Sequence, residues 1–183
     1  MGVLATFDEE ARWAQTRVCD GLVREGLHAL GLTWDRRTGV ESLQSGEVEF
    51  RQLRERFDTR ALDRIRLSPE TSAWAERRRD WRRLRARGGV VVLGVLEGTL
   101  LVYLRTDSGY AGVLCEAGEW LAIPAGHAYA LDAGESPDLD ALVLSGSAAD
   151  LAPGEEGDEV PALPSLDAFV ETMLEMTGHA ADD

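Results

Sequence analysis

Apolar positions in the first third of the chain recur at helical spacing. From Asp8 to Leu30 they are Ala11, Trp13, Ala14, Val18, Leu22, Val23, Leu27 and Leu30, with Asp8 placed as an N-cap and Gly31 as a stop. This pattern predicts a first amphipathic helix. Leu32 to Arg36 reads as a short strand, and Val40, Leu43, Val48, Phe50, Leu53 and Phe57 predict a second, weaker helix interrupted near Gly46. Asp63 to Leu67 alternates as a strand does, Ser68-Pro69-Glu70 reads as a turn, and Thr71 to Arg83 as a charged helical or irregular segment.

The period changes at Val90. Val90 to Leu96, Thr99 to Arg105, Tyr110 to Cys115, Glu119 to Ile123, Tyr129 to Leu131 and Leu139 to Leu144 are β-branched or alternating runs. They are separated by turns at Glu97-Gly98, Thr106 to Gly109 and Ala117-Gly118. Short strands at such spacing predict a sandwich or small barrel. An acidic Gly/Pro-containing stretch through Pro164 then reads as a tail along the surface. A last helix follows from Ser165 to Thr177, carrying Leu166, Phe169, Val170, Met173 and Leu174.

Composition fits one globular domain: 183 residues, 44% hydrophobic, 28% charged, net charge −14. All 19 cationic residues are Arg, and all lie in residues 1–105; residues 106–183 hold 17 acids and no Arg. An excess of acid disfavours general binding to nucleic acid or anionic membrane. The longest apolar runs, Val90 to Leu96 and Leu100 to Leu104, are too short to span a bilayer, and the acidic start MGVLATFDEE is unlike a signal peptide, so a cytoplasmic protein is expected. Cys19 and Cys115 have no metal-type spacing and are expected to be buried free thiols.

Gly118-Glu119-Trp120-Leu121-Ala122-Ile123-Pro124-Ala125-Gly126-His127-Ala128-Tyr129 resembles the second cupin motif, in which a glycine, five residues, Pro-x-Gly and two further residues precede a metal-binding histidine. Tyr129 stands at that histidine's place. Within the cupins the chain resembles the acireductone dioxygenases, and the likeness runs nearly end to end. It includes Trp13, Gly31-Leu32-Thr33-Trp34-Asp35-Arg36, Asp63-Arg64-Ile65-Arg66-Leu67, Val113-Leu114-Cys115-Glu116, Ile123-Pro124-Ala125 and Asp132-Ala133-Gly134 before Ser136-Pro137.

The resemblance implies a mainly β (α+β) cupin jelly-roll barrel, a double-stranded β-helix, in one domain of a bacterial protein. Residues 1–83 would form a helical N-terminal part, 84–145 the barrel motifs, and 146–183 the acidic tail and C-terminal helix. It also implies a family metal site of three His and one Glu. Counting back from Gly98 puts those positions at Arg85, Arg87 and Val91, with Tyr129 the fourth. Guanidinium and valine offer a metal no lone pair, so no cofactor is expected. Leu84 and Leu93 replace two charged neighbours that the family carries.

Arg83, Arg85 and Arg87 alternate along an extended segment and so share one face, where guanidinium forks suit a carboxylate, phosphate or enolate. Their plain reading is a solvated run continuing Arg77, Arg78, Arg79 and Arg82. Tyr129 is a candidate to move a proton or hold a substrate carbonyl, and His127, two residues earlier, a candidate for the same work; each is equally readable as an ordinary turn or strand residue. Val91, Leu93, Tyr103 and Arg105 are the remaining candidates to line the cup, with Glu97 and Glu119 at turn edges. The acidic run at 155–159 reads as a solvated loop.

The first expectation is a metal-independent cupin enzyme doing acid–base chemistry, such as isomerisation, elimination or cyclisation, on a small polar, anionic metabolite. Arg85 and Arg87 would bind it, and Tyr129 or His127 would move the proton. The alternatives are a non-catalytic small-molecule-binding cupin and a metal-dependent acireductone-type dioxygenase with its ligands elsewhere. The expected partner is a small molecule, with neither nucleic acid nor membrane, in a monomer or homodimer.

Overall fold

Residues 3–17 form a β-hairpin whose second strand lies where the apolar spacing predicts the start of a helix. β1 (Val3–Phe7) pairs antiparallel with β2 (Trp13–Arg17). Asp8 closes the turn instead of capping a helix: its Oδ1 accepts from the backbone N–H of Glu10 (3.1 Å) and of Arg12 (2.8 Å). Ala11 takes a left-handed φ of 63° to complete it. The helix begins only at α1 (Asp20–Ala29), and Cys19, expected to be buried, is exposed at its N-cap; Cys115 is buried.

The computed structural model describes residues 2–36, 50–151, 157–159 and 162–178. The first part of the expected second helix, with Val40, Leu43 and Val48, lies outside them; residues 50–56 are helical (α2). The expected strands at 32–36 and 63–67 are present as β3 (Thr33–Arg36) and β4 (Ala61–Leu67). After α3 (Trp74–Trp81) come β5 (Arg83–Leu84), β6 (Val91–Thr106), β7 (Gly109–Glu116), β8 (Glu119–Ile123), β9 (Tyr129–Asp132) and β10 (Leu139–Ser145). β11 (Asp158–Glu159) and α4 (Leu166–Met176) complete the order. The segment 1–83 is therefore not a helical part: it supplies β1 to β4 to the same nine-stranded sheet as the barrel motifs.

β6 organises that sheet. Glu97-Gly98, expected to be a hairpin turn, is a bend within one 16-residue strand. The first half of β6 lies between β8 and β10, with β3 and β4 outside them. The second half lies between β7 and β9, with β1 and β2 beyond β7. Gly98 makes the bend possible: its φ is +80°, and a Cβ there would sit 1.7 Å from the carbonyl oxygen of Asp138.

The bend also inverts side-chain parity. Ala141 of β10 faces Val95 and Asp140 faces Glu97, so Leu96 is an extra, bulged residue. Before the bulge Val91, Leu93 and Val95 point into the space between the two halves; after it Leu100, Val102 and Leu104 do. That lumen is packed with apolar side chains, including Val23 and Leu27 of α1, Trp34 of β3 and Trp74 of α3. Two further clusters cover the outer faces. Phe169 and Met173 of α4 pack with Phe7, Leu101 and Tyr103, and Phe50 and Leu53 of α2 pack with Val92 and Trp120.

α4 agrees with its sequence signals, with Ser165 as N-cap accepting from the N–H of Ala168 (3.2 Å). Ahead of it Leu163 is buried, while much of the stretch expected to run along the surface lies outside the described residues. Edge strand β4 is clamped to β10 by Arg64, whose Nε and Nη2 donate to the two carboxylate oxygens of Asp140 at 2.8 and 2.6 Å. This pair holds the Asp140 carboxyl below its ordinary value. A carboxyl lowered on folding adds stability above its unfolded pKa, and that contribution disappears as pH falls through the lower, folded value. Asp140→Asn should therefore lower the denaturant midpoint at neutral pH, and its deficit against the parent should shrink in a series taken down into the acid range. A deficit independent of pH would reject this account.

A candidate binding pocket at the mouth of the barrel

One cavity of about 580 Å³ opens at the lumen mouth, and the arginines read from the sequence converge on it. The segment from β5 onward is extended, with Leu84 buried beneath α4's cluster and Arg83, Arg85 and Arg87 turned the other way, into the cavity wall. Its register is fixed by a reciprocal bridge: the N–H of Arg85 donates to the carbonyl of Tyr129 (3.0 Å) and the N–H of Tyr129 to that of Arg85 (3.1 Å). The Gly126 N–H donates to the carbonyl of Arg87 (2.8 Å), tying the same segment to the turn after β8. Tyr129 thus stands beside the arginines, 9% exposed, with its ring among the lumen side chains.

The other walls carry groups that the sequence reading missed. β4 contributes Asp63 and Ile65, and α3 contributes Glu76, Arg77, Asp80 and Trp81. Arg85 is held by α3: its Nη1 donates to the Asp80 carbonyl (2.8 Å), and its guanidinium pairs with the Asp80 carboxylate. Arg83 lies 3.7 Å from Glu159 of β11, which adds a two-residue strand to β5. So 158–159 of the acidic run are strand, while still exposed; 155 and 156 lie outside the described residues. Asp63 was legible in part, being a charge on the same face of a predicted strand as Ile65 and Leu67.

Other expected members stand elsewhere. Leu93 lines the cavity, but Val91 is 1% exposed and packed within the lumen core. Tyr103 is on the outer face, because the bulge reverses parity ahead of it; its hydroxyl donates to the carbonyl of Pro164 (2.9 Å), and burial pushes its pKa up. Arg105 has the same parity and is exposed over Tyr110, donating to that hydroxyl (2.6 Å). His127 is held in the turn by its N–H to Pro124 (3.3 Å), outside the cavity lining; its Nε2 is buried with no hydrogen-bond partner among the described residues. Glu119 is buried and paired with Arg36 (2.7 Å), outside the cavity lining, and burial raises its pKa. Glu97 sits at the bend.

The donors at the mouth do not suit a first-row dication. Of the four positions the resemblance assigns to ligands, two hold guanidiniums and one a valine, leaving a single phenol. Among the described residues, no group of three or more His, Cys, Asp or Glu comes close enough to hold an ion. What converges can bind oxygen-rich anions through guanidinium forks and exchange a proton at Tyr129.

Comparison with known proteins agrees with this architecture. No family model matches the chain. Over 115 residues it is 29% identical to an acireductone dioxygenase of Parvibaculum lavamentivorans, a match covering 63% of this chain and 61% of that protein. The chain thus spans less than two thirds of that relative's length. Its fold is similar to that of acireductone dioxygenase from Bacillus anthracis with cadmium ion in active center. That match has a TM-score of 0.70 at 14% identity, over 85% of this chain and 98% of the other. Among the described residues no helix is long and apolar enough to cross a membrane.

Proposed function

We propose that this acireductone-dioxygenase-like cupin takes a small, oxygen-rich anion at the barrel mouth and acts on it by acid–base chemistry without a metal. The observation that carries the reading is the convergence of Arg83, Arg85, Arg87 and Tyr129 on one cavity. Guanidiniums in a partly sheltered cavity are better anion donors than the same groups in bulk water. Tyr129 offers a proton at the ligand, and Asp63 and Glu76 on the facing walls are the carboxylates available to accept one.

Arg85 is positioned by Asp80 and Arg83 by Glu159, so the wall is held in place by carboxylates, and the ligand's charge is shared among Arg83, Arg85 and Arg87. A non-catalytic binding cupin is the second reading, favoured by one observation: Tyr129 sits on a lumen packed with apolar side chains, among them Val91, Leu93, Leu104 and Ile123.

Melting curves test the site. Citrate or phosphate at a hundredfold excess over Kd should stabilise the fold by about 2.7 kcal/mol, several degrees in Tm, and added salt should weaken the effect. Arg87→Ala should reduce that shift, while a strong chelator should leave Tm where it was. Stoichiometric iron or nickel in protein purified without chelator, together with a large fall in Tm on chelation, would overturn the proposal.

A further inference from the structure

Among the described residues, the cavity lining is nearly balanced in charge. Arg77, Arg83, Arg85 and Arg87 bring four guanidiniums to it, and Asp63, Glu76 and Asp80 bring three carboxylates. The two signs are interleaved: Arg85 pairs with Asp80, and Glu159 reaches Arg83 at 3.7 Å from outside the lining. A polyanion placed there would be drawn by the guanidiniums and repelled by the carboxylates beside them. The small positive excess answers a single negative charge, so most of a ligand's affinity has to come from uncharged surface.

That surface is present and partly aromatic. Ile65 of β4, Leu93 of β6 and Val143 of β10 line the cavity from the sheet, and Trp81 lines it from the end of α3. Trp81 is half-buried against the lumen cluster and meets Trp74 edge to face, with ring centroids 5.2 Å apart and planes at 87°. Trp74 is itself buried and anchored, its Nε1 donating to the carbonyl of Gly134 (2.8 Å). The indole is thus set in place before any ligand arrives, which lowers the entropy lost on binding. Indole and guanidinium groups both attract a flat π-system more than they attract an equal area of saturated carbon.

We infer that the pocket selects an aromatic monocarboxylate and that Trp81 is the residue that sets this preference. The carboxylate lies among Arg83, Arg85 and Arg87, and the ring lies against Trp81 and the apolar side chains of the sheet. This rests on the reading of the mouth as an anion site and names the class of anion it prefers.

Titration calorimetry at low salt on the full chain tests it with three probes. They are 2-naphthoate, decahydro-2-naphthoate, which keeps the carbon skeleton without the flat rings, and citrate, which has more charge and no apolar body. 2-Naphthoate should bind roughly tenfold or more tightly than either of the others. Trp81→Leu should bring 2-naphthoate close to its saturated counterpart while leaving citrate affinity where it was, a sign that the pocket is intact. Trp81→Phe, the gentler change, should keep part of the preference, and it decides the matter should the leucine variant not fold. Equal affinity for the two naphthoates would overturn the aromatic preference and leave the anion site standing. Citrate binding tightest would do the same. A preference unaltered in the Trp81 variants would overturn the role of Trp81. If both naphthoates, citrate and phosphate all fail to bind, this inference and the anion site fall together.

Discussion

Asp132→Ala should cost about 3–5 kcal/mol of stability, a fall in Tm of roughly ten degrees for a chain of this size. Asp132 is fully buried at the end of β9 and gathers three elements. Arg78 of α3 donates to it from Nε (2.7 Å) and Nη2 (3.2 Å), and the backbone N–H groups of Gly134 (3.0 Å) and Leu166 (3.1 Å) donate as well. Removing the carboxylate takes the main partner from a guanidinium that is only 13% exposed and leaves one buried and one half-buried N–H group without that acceptor. Asp132→Asn keeps an acceptor but not the charge, and should fall between the parent and the alanine variant. Because α3 forms one wall of the pocket, the alanine variant should also lose citrate stabilisation in proportion. Denaturant midpoints for the three proteins decide it. A loss under 1 kcal/mol for Asp132→Ala would mean that Asp167, 3.0 Å from Arg78, takes over the pairing.

Where local chemistry decides structure, the sequence was a good guide. β7, β8, β9 and β10 each follow an apolar run bounded by turn residues, and Ser165 caps the helix its spacing predicts. The misreadings occur where non-local packing overrides a local pattern. Trp13, Ala14 and Val18 fit helical spacing, yet residues 13–17 have a strand partner in β1, and the turn that permits it uses Ala11 at positive φ, a residue type that does not announce such a turn. Gly98 announces a break, but whether the chain reverses or bends there depends on β10, forty residues on. That single ambiguity left the orientation of Tyr103 and Arg105 open in the sequence, since one bulged residue inverts everything after it.

The pocket was legible to the same extent. The arginine wall follows from the two-residue period of one segment, and the place of Tyr129 from the motif spacing. The facing wall was hidden because it depends on how β4 registers against β10 and on where α3 lies, neither of which leaves a local trace. With His127 outside the lining, the proposed proton transfer is assigned to Tyr129 and the cavity's carboxylates.

Tyr129→Phe is therefore the substitution with the largest expected effect on turnover. It removes one hydroxyl and keeps the ring, which packs with the lumen cluster, so stability should change by about 1 kcal/mol or less. If that hydroxyl delivers a proton or holds a developing oxyanion beside the arginines, its loss should slow the chemical step by roughly a hundredfold or more. Single-turnover rates, measured with whichever small oxygen-rich anion the protein consumes in a screen, should show the drop at saturating substrate. Ligand affinity should move far less, because the arginines and the apolar lining residues Leu93, Leu131 and Val143 remain. Tyr129→His, which restores a titrating group at the same place, should recover part of the rate with a pH profile shifted toward neutrality. Full activity in the phenylalanine variant would remove Tyr129 from the chemistry. Unchanged affinity in a protein that consumes none of the screened compounds would turn the assignment to the non-catalytic binding cupin.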